Sequence, residues 1–139
     1  MANWEKSIQF VLLHEGGLSV DPVDPGGTTC YGISKRAYPD LDIVNLTKDE
    51  ATEIYNRDYW TPCCCGTMDD KLALAVFDTA VNCGVSGALH MLNKAQGNID
   101  RFLDLRILRY FHIVKDNPAQ VKYIKGWINR VLDLLGAMS

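Results

Sequence analysis

The 139-residue sequence has no long hydrophobic run, and its longest uninterrupted apolar stretch extends only from Leu72 to Phe77. A membrane-spanning helix needs about 18 or more consecutive apolar residues, so a membrane-spanning protein is excluded. The first residues contain neither a basic segment nor an apolar core of the kind found in signal peptides. We therefore expect synthesis in the cytoplasm without a signal peptide.

The sequence also lacks a dense cluster of lysine and arginine. Residues 1–70 carry five basic against twelve acidic side chains, whereas residues 71–139 carry nine against five. Nucleic-acid-binding domains present a concentrated basic stripe, so nucleic acid is not expected as a partner. A split of charge between the two halves indicates opposed faces or a charged cleft.

Paired cysteine motifs are missing as well. The five cysteines include the triplet Cys63, Cys64 and Cys65, their number is odd, and no C-x-x-C spacing occurs. This favours reduced thiols over a disulfide framework. The triplet could hold zinc, but three adjacent side chains point in divergent directions, so a structural or incidental role is favoured. We predict no metal and no cofactor.

Apolar residues at helical spacing dominate the rest of the sequence. The N-terminal apolar stripe predicts a helix that begins after Asn3 as cap and ends at Gly16 and Gly17. The segment from Lys71 to Asn82 has almost no polar face, which is typical of a buried central helix. Further helix starts are predicted at Thr47 with Glu50 as capping box, Thr67 or Asp69, Ser86, Asp100, and Asn117 with Pro118.

One irregular segment interrupts this pattern. Residues 16–32 contain five glycines and two Asp-Pro steps but no helical stripe, which predicts tight turns and a short hairpin. The sequence therefore predicts one mainly helical domain over residues 1–139 with a single glycine-rich excursion.

Glu15 is the first candidate for chemistry, because it continues the inward-facing stripe of the first helix. Partial burial and the C-terminal end of a helix both disfavour a negative charge there. A carboxylic acid that keeps its proton is what glycosidic bond cleavage needs as a general acid. The alternative is a structural Glu15 that bonds to the amides of Gly17 or its neighbours.

A second carboxylate is expected from Asp21 or Asp24, which lie on the proline- and glycine-shaped loop. If the loop folds back over the helix end, Asp24 can face Glu15 with a water between them, as in an inverting glycosidase. Both aspartates are alternatively turn formers, because Asp before Pro is a common turn signal. The turn role is favoured for Asp21, whereas the catalytic role and the turn role are equally favoured for Asp24.

Two N-terminal motifs carry a family resemblance, with weaker blocks along the rest of the chain. The motifs are HEGG at residues 14–17 and DPxDPGGxTxxGI at residues 21–33. Later blocks include FDxAVNxG at residues 77–84 and GWxxRV at residues 126–131. Together they resemble the glycoside hydrolase family 108 muramidases, a lysozyme-like family common among phage endolysins.

The resemblance implies a lysozyme-like helical fold, with the hydrolase motif over about residues 3–66 and a helical part similar to the family's peptidoglycan-binding block over about 67–139. It implies hydrolysis of the β-1,4 bond between N-acetylmuramic acid and N-acetylglucosamine in peptidoglycan. Glu15 then corresponds to the general acid, and Asp24 and Thr29 are the candidates that position the attacking water. As an endolysin, the protein would act on the cell wall, in the periplasm, after release from the host cytoplasm with a partner such as a holin.

Several polar and aromatic residues allow two interpretations. Tyr31, Trp60 and Trp127 could stack on sugar rings, although aromatic residues at helical spacing more often belong to the core. Asn82 could bond an N-acetyl group or cap its helix. A structural role is favoured for Asp78, which could pair with one of three arginines, Arg106, Arg109 or Arg130.

Overall fold

The computed structural model describes residues 2–139, which form six α-helices and one short antiparallel β-hairpin. The helices are α1 (Trp4–Glu15), α2 (Lys48–Tyr55), α3 (Asp70–Cys83), α4 (Val85–Ala95), α5 (Ile99–Asp116) and α6 (Ile124–Ala137). The strands are β1 (Thr29–Cys30) and β2 (Ile33–Ser34), in the register Thr29 to Ser34 and Cys30 to Ile33. The predicted mainly helical fold with a small N-terminal hairpin is confirmed.

Helix α1 begins and ends where its sequence predicts. The Asn3 side chain accepts a hydrogen bond from the Lys6 amide at 3.0 Å, which satisfies one of the free donors at the helix start. Gly16 then adopts a φ of 73° and ends the helix, a backbone conformation that glycine reaches without steric cost. Glu15 is therefore the last residue of α1, directly before the irregular segment.

Helix α3 is the central helix of the fold, as its apolar sequence predicts. Asp69 caps it by accepting from the Leu72 amide at 2.9 Å, and every residue from 73 to 80 is buried. The helix packs against α1, α4 and α5. Asp78 is consequently surrounded by other elements on all sides.

An aromatic cluster joins α1 and α3 to the short π-helix Asn56–Trp60 that follows α2. The rings of Trp4, Trp60 and Phe77 have centroids 5.1–5.4 Å apart and meet edge to face or tilted, arrangements that favour aromatic pairs. The cluster fixes the end of α2 against the core.

Two of the predicted helix starts are corrected by the structure. The cap of α5 is Asn98, whose side chain accepts from the Arg101 amide at 2.9 Å, so the helix begins earlier than the predicted cap at Asp100. After Asn117, residues Pro118–Tyr123 form a 3-10 helix, and the α-helix α6 begins only at Ile124.

Over residues 2–139 no helix is both long and apolar enough to cross a membrane.

Candidate active site

Glu15 lies at the junction of the helical bundle and the hairpin segment. Its side chain is 23% exposed, and Oε1 accepts a hydrogen bond from Nη1 of Arg130 at 2.7 Å. The two residues are 115 positions apart in the sequence. The predicted inward direction of Glu15 is confirmed. Its carboxylate pairs with the side chain of Arg130 in α6 and not with the backbone amides near Gly17.

The completely buried carboxylate of Asp78 holds the guanidinium of Arg130 in place. Nε of Arg130 donates to Oδ1 of Asp78 at 3.0 Å, and Nη2 donates to the same oxygen at 2.7 Å. Burial works against the charge on Arg130, but the carboxylates of Asp78 and Glu15 outweigh it and raise the pKa of this guanidinium. Arg130 is therefore a fixed cation with one end directed at Glu15.

A second arginine, Arg106, completes this charge cluster and is completely buried. Arg106 donates through Nη1 to Oδ2 of Asp78 at 2.8 Å and through Nε to the Tyr110 hydroxyl at 2.8 Å. Neither Asp78 nor Arg106 exposes its side chain to solvent. The predicted structural role of Asp78 is confirmed, with Arg106 and Arg130 as its partners. The third candidate, Arg109, donates to the Cys83 carbonyl at 3.4 Å.

The turn of the hairpin packs directly against Glu15. Tyr31 and Gly32 form the two-residue connection between β1 and β2, with φ values of 52° and 79°, the positive values that a type I′ turn needs at both central positions. A Cβ atom on Gly32 would lie 2.8 Å from Cβ and Cγ of Glu15 and 2.5 Å from the Tyr55 hydroxyl. Only glycine fits at this position, both for its backbone and for its contacts.

Tyr55 ties the same turn to α2. Its hydroxyl donates to the Tyr31 carbonyl at 2.7 Å. Burial, and then the nearby Glu15 carboxylate, raise the pKa of Tyr55, so the hydroxyl keeps its proton and remains a donor. Glu15 is thus enclosed between the hairpin turn on one side and Arg130 on the other.

Asp21 and Asp24 organise the loop that precedes the hairpin. Oδ1 of Asp21 accepts from the Val23 and Asp24 amides at 2.9 and 3.0 Å, and these two bonds lower the pKa of Asp21. The favoured prediction of a turn former is confirmed for Asp21. Asp24 caps the short turn Pro25–Gly27 by accepting from the Gly26 amide at 3.0 Å.

Asp24 differs from Asp21 because it also forms an ion pair. Its Oδ2 accepts from the guanidinium of Arg36, which follows the second strand. The Asp24 side chain is still 51% exposed, so a carboxylate on this loop is open to solvent and to a bound ligand.

Thr29 occupies the first position of the hairpin. Its backbone exchanges two hydrogen bonds of 2.8 Å with Ser19, and its side chain is half-buried. The next residue, Cys30, is buried and donates from Sγ to the Leu46 carbonyl at 3.7 Å. Because neighbouring side chains on a strand point to opposite faces, Thr29 lies on the face away from the core.

The aromatic candidates separate into core and surface. Trp60 is only 7% exposed and its ring faces Trp4 and Phe77. Trp60 therefore belongs to the core, and the prediction that it stacks on a sugar ring is wrong. Trp127 is half-buried and stacks on Tyr110 with centroids 5.0 Å apart.

The two remaining candidates for substrate binding are half-buried. Asn82 accepts from the Tyr110 hydroxyl at 2.5 Å, which engages its amide oxygen inside the fold. Tyr31 lines a cavity of about 380 Å³ beside the end of α1, together with Gly16 and Lys48.

Comparison with known proteins assigns the chain to a family. The family model described as Glycosyl hydrolase 108 matches residues 8–84, more than half of the chain and a range that includes Glu15, Asp24 and the hairpin. The chain belongs to glycosyl hydrolase family 108. It is therefore a glycoside hydrolase of a family that acts on peptidoglycan.

A solved structure shows the same fold for this family 108 hydrolase. The structure of Brucella abortus SagA superimposes with a TM-score of 0.78 at 25% sequence identity, over 97% of this chain and 92% of that chain. A comparison with curated protein sequences gives no significant match.

The main feature that sequence reasoning missed in the family 108 site is the contact between Arg130 and Glu15. Arg130 was predicted only as a possible partner of Asp78, because nothing local relates it to α1. The available signal was its place in the GWxxRV motif, next to Val131 of the apolar stripe of the last helix, because a cation that reaches the interior needs acidic partners.

The cysteine triplet lies in the turn between Trp60 and α3. Cys63 and Cys65 are buried, whereas Cys64 is exposed with a φ of 56°. In the part of the chain that the structure describes, no group of three or more His, Cys, Asp or Glu side chains is arranged to hold a metal ion.

Proposed function

We propose that this family 108 hydrolase is an N-acetylmuramidase that cleaves the β-1,4 bond between N-acetylmuramic acid and N-acetylglucosamine, with Glu15 as general acid. The observation that carries the proposal is the position of Glu15. It ends α1 inside the family-matched range, partly exposed, between the hairpin turn and Arg130.

Arg130 suits the state of Glu15 that follows proton transfer. Glu15 gives its proton to the glycosidic oxygen as the bond to the anomeric carbon breaks. The carboxylate that remains is then stabilised by Arg130, whose Nη1 lies 2.7 Å from Oε1. Partial exposure of Glu15 lets it regain a proton from solvent before the next cycle.

We propose Asp24 as the base that directs water to the anomeric carbon, with Asp21 as the alternative. Asp24 is the more exposed carboxylate of the loop and is oriented by Arg36 and by the Gly26 amide. Thr29, on the outer face of the hairpin, is proposed to help hold the water. In an inverting hydrolase the two carboxyl groups stand about 6.5–9.5 Å apart.

Tyr31, Asn82 and Trp127 are proposed to contact the sugar chain. The supporting observation is that all three are incompletely buried, and that Tyr31 belongs to the turn that touches Glu15. Trp127 is half-buried and stacks on Tyr110, so we propose that a sugar ring contacts the part of the indole that stays exposed.

We further propose a biological role as a phage-type endolysin that reaches the periplasmic cell wall with the help of a holin. The support for this step is the resemblance to the muramidases common among endolysins.

The test is the release of reducing ends from purified peptidoglycan by Glu15→Gln, with Glu5→Gln as the matched control. Both residues are glutamates of α1, but Glu5 is exposed in the first turn. We expect Glu15→Gln to lose about 10²–10⁴-fold in rate with an unchanged circular dichroism spectrum, and Glu5→Gln to keep the wild-type rate. Asp24→Asn is expected to lose activity as well.

Wild-type activity in Glu15→Gln would overturn the mechanism. If the wild-type protein sediments with peptidoglycan and releases no reducing ends, the chain is instead a catalytically silent peptidoglycan-binding module.

A further inference from the structure

The antiparallel pair α4 and α5 encloses a groove that shares no residue with the site around Glu15. Its volume is about 510 Å³, within the range of about 300–1,000 Å³ typical of small-molecule sites. We call it the α4–α5 groove. Its apolar floor includes Met91 from α4 and Leu105 from α5.

The side of the groove formed by α5 is a continuous stripe along the helix. Leu105, Arg109, His112 and Asp116 all line it, at the spacing of successive turns on one face. With a rise of 1.5 Å per residue, this stripe is about 16 Å long. The groove is therefore elongated, and a ligand that fills it is extended.

Gly87 provides room for a cation at the groove wall. Nη1 of Arg109 lies 3.3 Å from the position that a Cβ on Gly87 would occupy, and Nη2 donates to the Cys83 carbonyl at 3.4 Å. Arg109 thus lies across the start of α4, and it is exposed and lines the groove, so it can bind a ligand there. A Cβ on residue 87 would crowd Nη1 of Arg109 and make it shift slightly.

The charges along the groove have a definite order. Lys94 lies near the connection between the two helices, Arg109 lies opposite Gly87, and Asp116 lies where α5 ends. His90 and His112 add further nitrogen donors to the same walls. A complementary ligand carries two or more carboxylates, small apolar groups over the floor, and one ammonium near Asp116.

We infer that the α4–α5 groove binds the stem peptide of peptidoglycan, a short peptide with alanine methyl groups, free carboxylates and the amine of a diamino acid. Lys94 and Arg109 bind the carboxylates, and Asp116 binds the ammonium. A peptide of four extended residues is about 13 Å long, which fits the groove. The inference rests on the proposed function, because the stem peptide belongs to the same peptidoglycan whose sugar chain the enzyme is proposed to cleave.

The test uses the full chain with the free stem tetrapeptide, followed by amide chemical shifts in NMR titrations. We expect saturable shifts at residues of α4 and α5, and binding at least about tenfold weaker in Arg109→Gln and Lys94→Gln. The matched control is Lys115→Gln, an exposed cation of α5 that does not line the groove, and it should bind as the wild type does.

The inference would be overturned by the absence of saturable shifts at millimolar peptide, by equal weakening in Lys115→Gln, or by equal binding of a tetrapeptide whose carboxylates are amidated. Equal binding of inorganic phosphate at Arg109 would also overturn it, because the groove would then be a general anion site.

Glu15→Gln separates this inference from the proposed function. The variant should lose release of reducing ends and keep peptide binding. If it loses hydrolysis but the wild type shows no peptide binding, the groove inference fails and the muramidase proposal stands. If the peptide binds but the wild type hydrolyses nothing, the muramidase proposal fails alone.

Discussion

Carboxylate–arginine contacts occur both in the helical part of the chain and in the loop before the hairpin, and they differ in burial and not in chemistry. In the helical half, Asp78 pairs with Arg106 and Arg130 and exposes none of its side chain. In the loop half, Asp24 pairs with Arg36 and is 51% exposed. The same type of contact therefore has different consequences in the two regions.

The buried cluster acts as a support for Glu15. Removing one partner of a buried ion pair leaves the other charge without solvent and without compensation. The exposed pair is screened by water, and such pairs contribute little to stability. We conclude that the helical half holds Glu15 in position, while the loop half can present a carboxylate without carrying the fold.

The largest expected effect is on Asp78→Asn, which leaves Arg106 and Arg130 without their shared carboxylate. We predict a loss of about 3–5 kcal/mol in the free energy of unfolding, measured by urea titration. Asp24→Asn is the matched control and should lose about 1 kcal/mol or less, since asparagine is also a good cap. Equal losses in the two variants would contradict the comparison.

Gly32→Ala tests whether the hairpin turn helps to position Glu15. The substitution puts a Cβ at a φ of 79° and against Glu15 and Tyr55. We expect a loss of about 1–3 kcal/mol and a lower rate on peptidoglycan, because Glu15 must move. Gly17→Ala is the control in the same segment, since a Cβ there meets no atom within 4 Å. If both variants behave alike, the turn does not position Glu15.

The smallest expected effect is the loss of stability when Asp21 is protonated at acid pH. The amides of Asp24 and Val23 lower its pKa below the ordinary 3.8, so the folded state prefers the ionised form. Its stabilising contribution is present above that ordinary value and is lost as the pH falls through the lower, folded-state value. Carboxyl chemical shifts from NMR should show a midpoint below 3.8, and a midpoint above it would show that the turn does not hold Asp21.

Local signals in the sequence predicted the parts of the fold that depend on near neighbours. Asn3, Gly16 and Asp69 end or begin helices through bonds within four residues. The sequence predicts Asn3 and Gly16 outright, and it predicts Asp69 as one of two candidate caps with Thr67. The start of α5 was misplaced because Asn98 and Asp100 are both good caps. Which one is used depends on the turn that precedes the helix.

The candidate site was predictable only in part for the same reason. The turn role of Asp21 follows from Asp-Pro chemistry, and the inward direction of Glu15 follows from helical spacing. The contact from Arg130 to Glu15 joins the two ends of the chain, and the burial of Trp60 depends on Trp4 and Phe77. Contacts between distant segments leave no periodic pattern in a single sequence.

The most direct test of the central claim is the identity of the new chain ends. Peptidoglycan digested by the wild-type protein is reduced with borohydride, and the soluble fragments are analysed by mass spectrometry, with Glu15→Gln as the blank. Our account predicts reduced N-acetylmuramic acid at the new ends and none in the blank. Reduced N-acetylglucosamine at those ends, or equal products from Glu15→Gln, would contradict it.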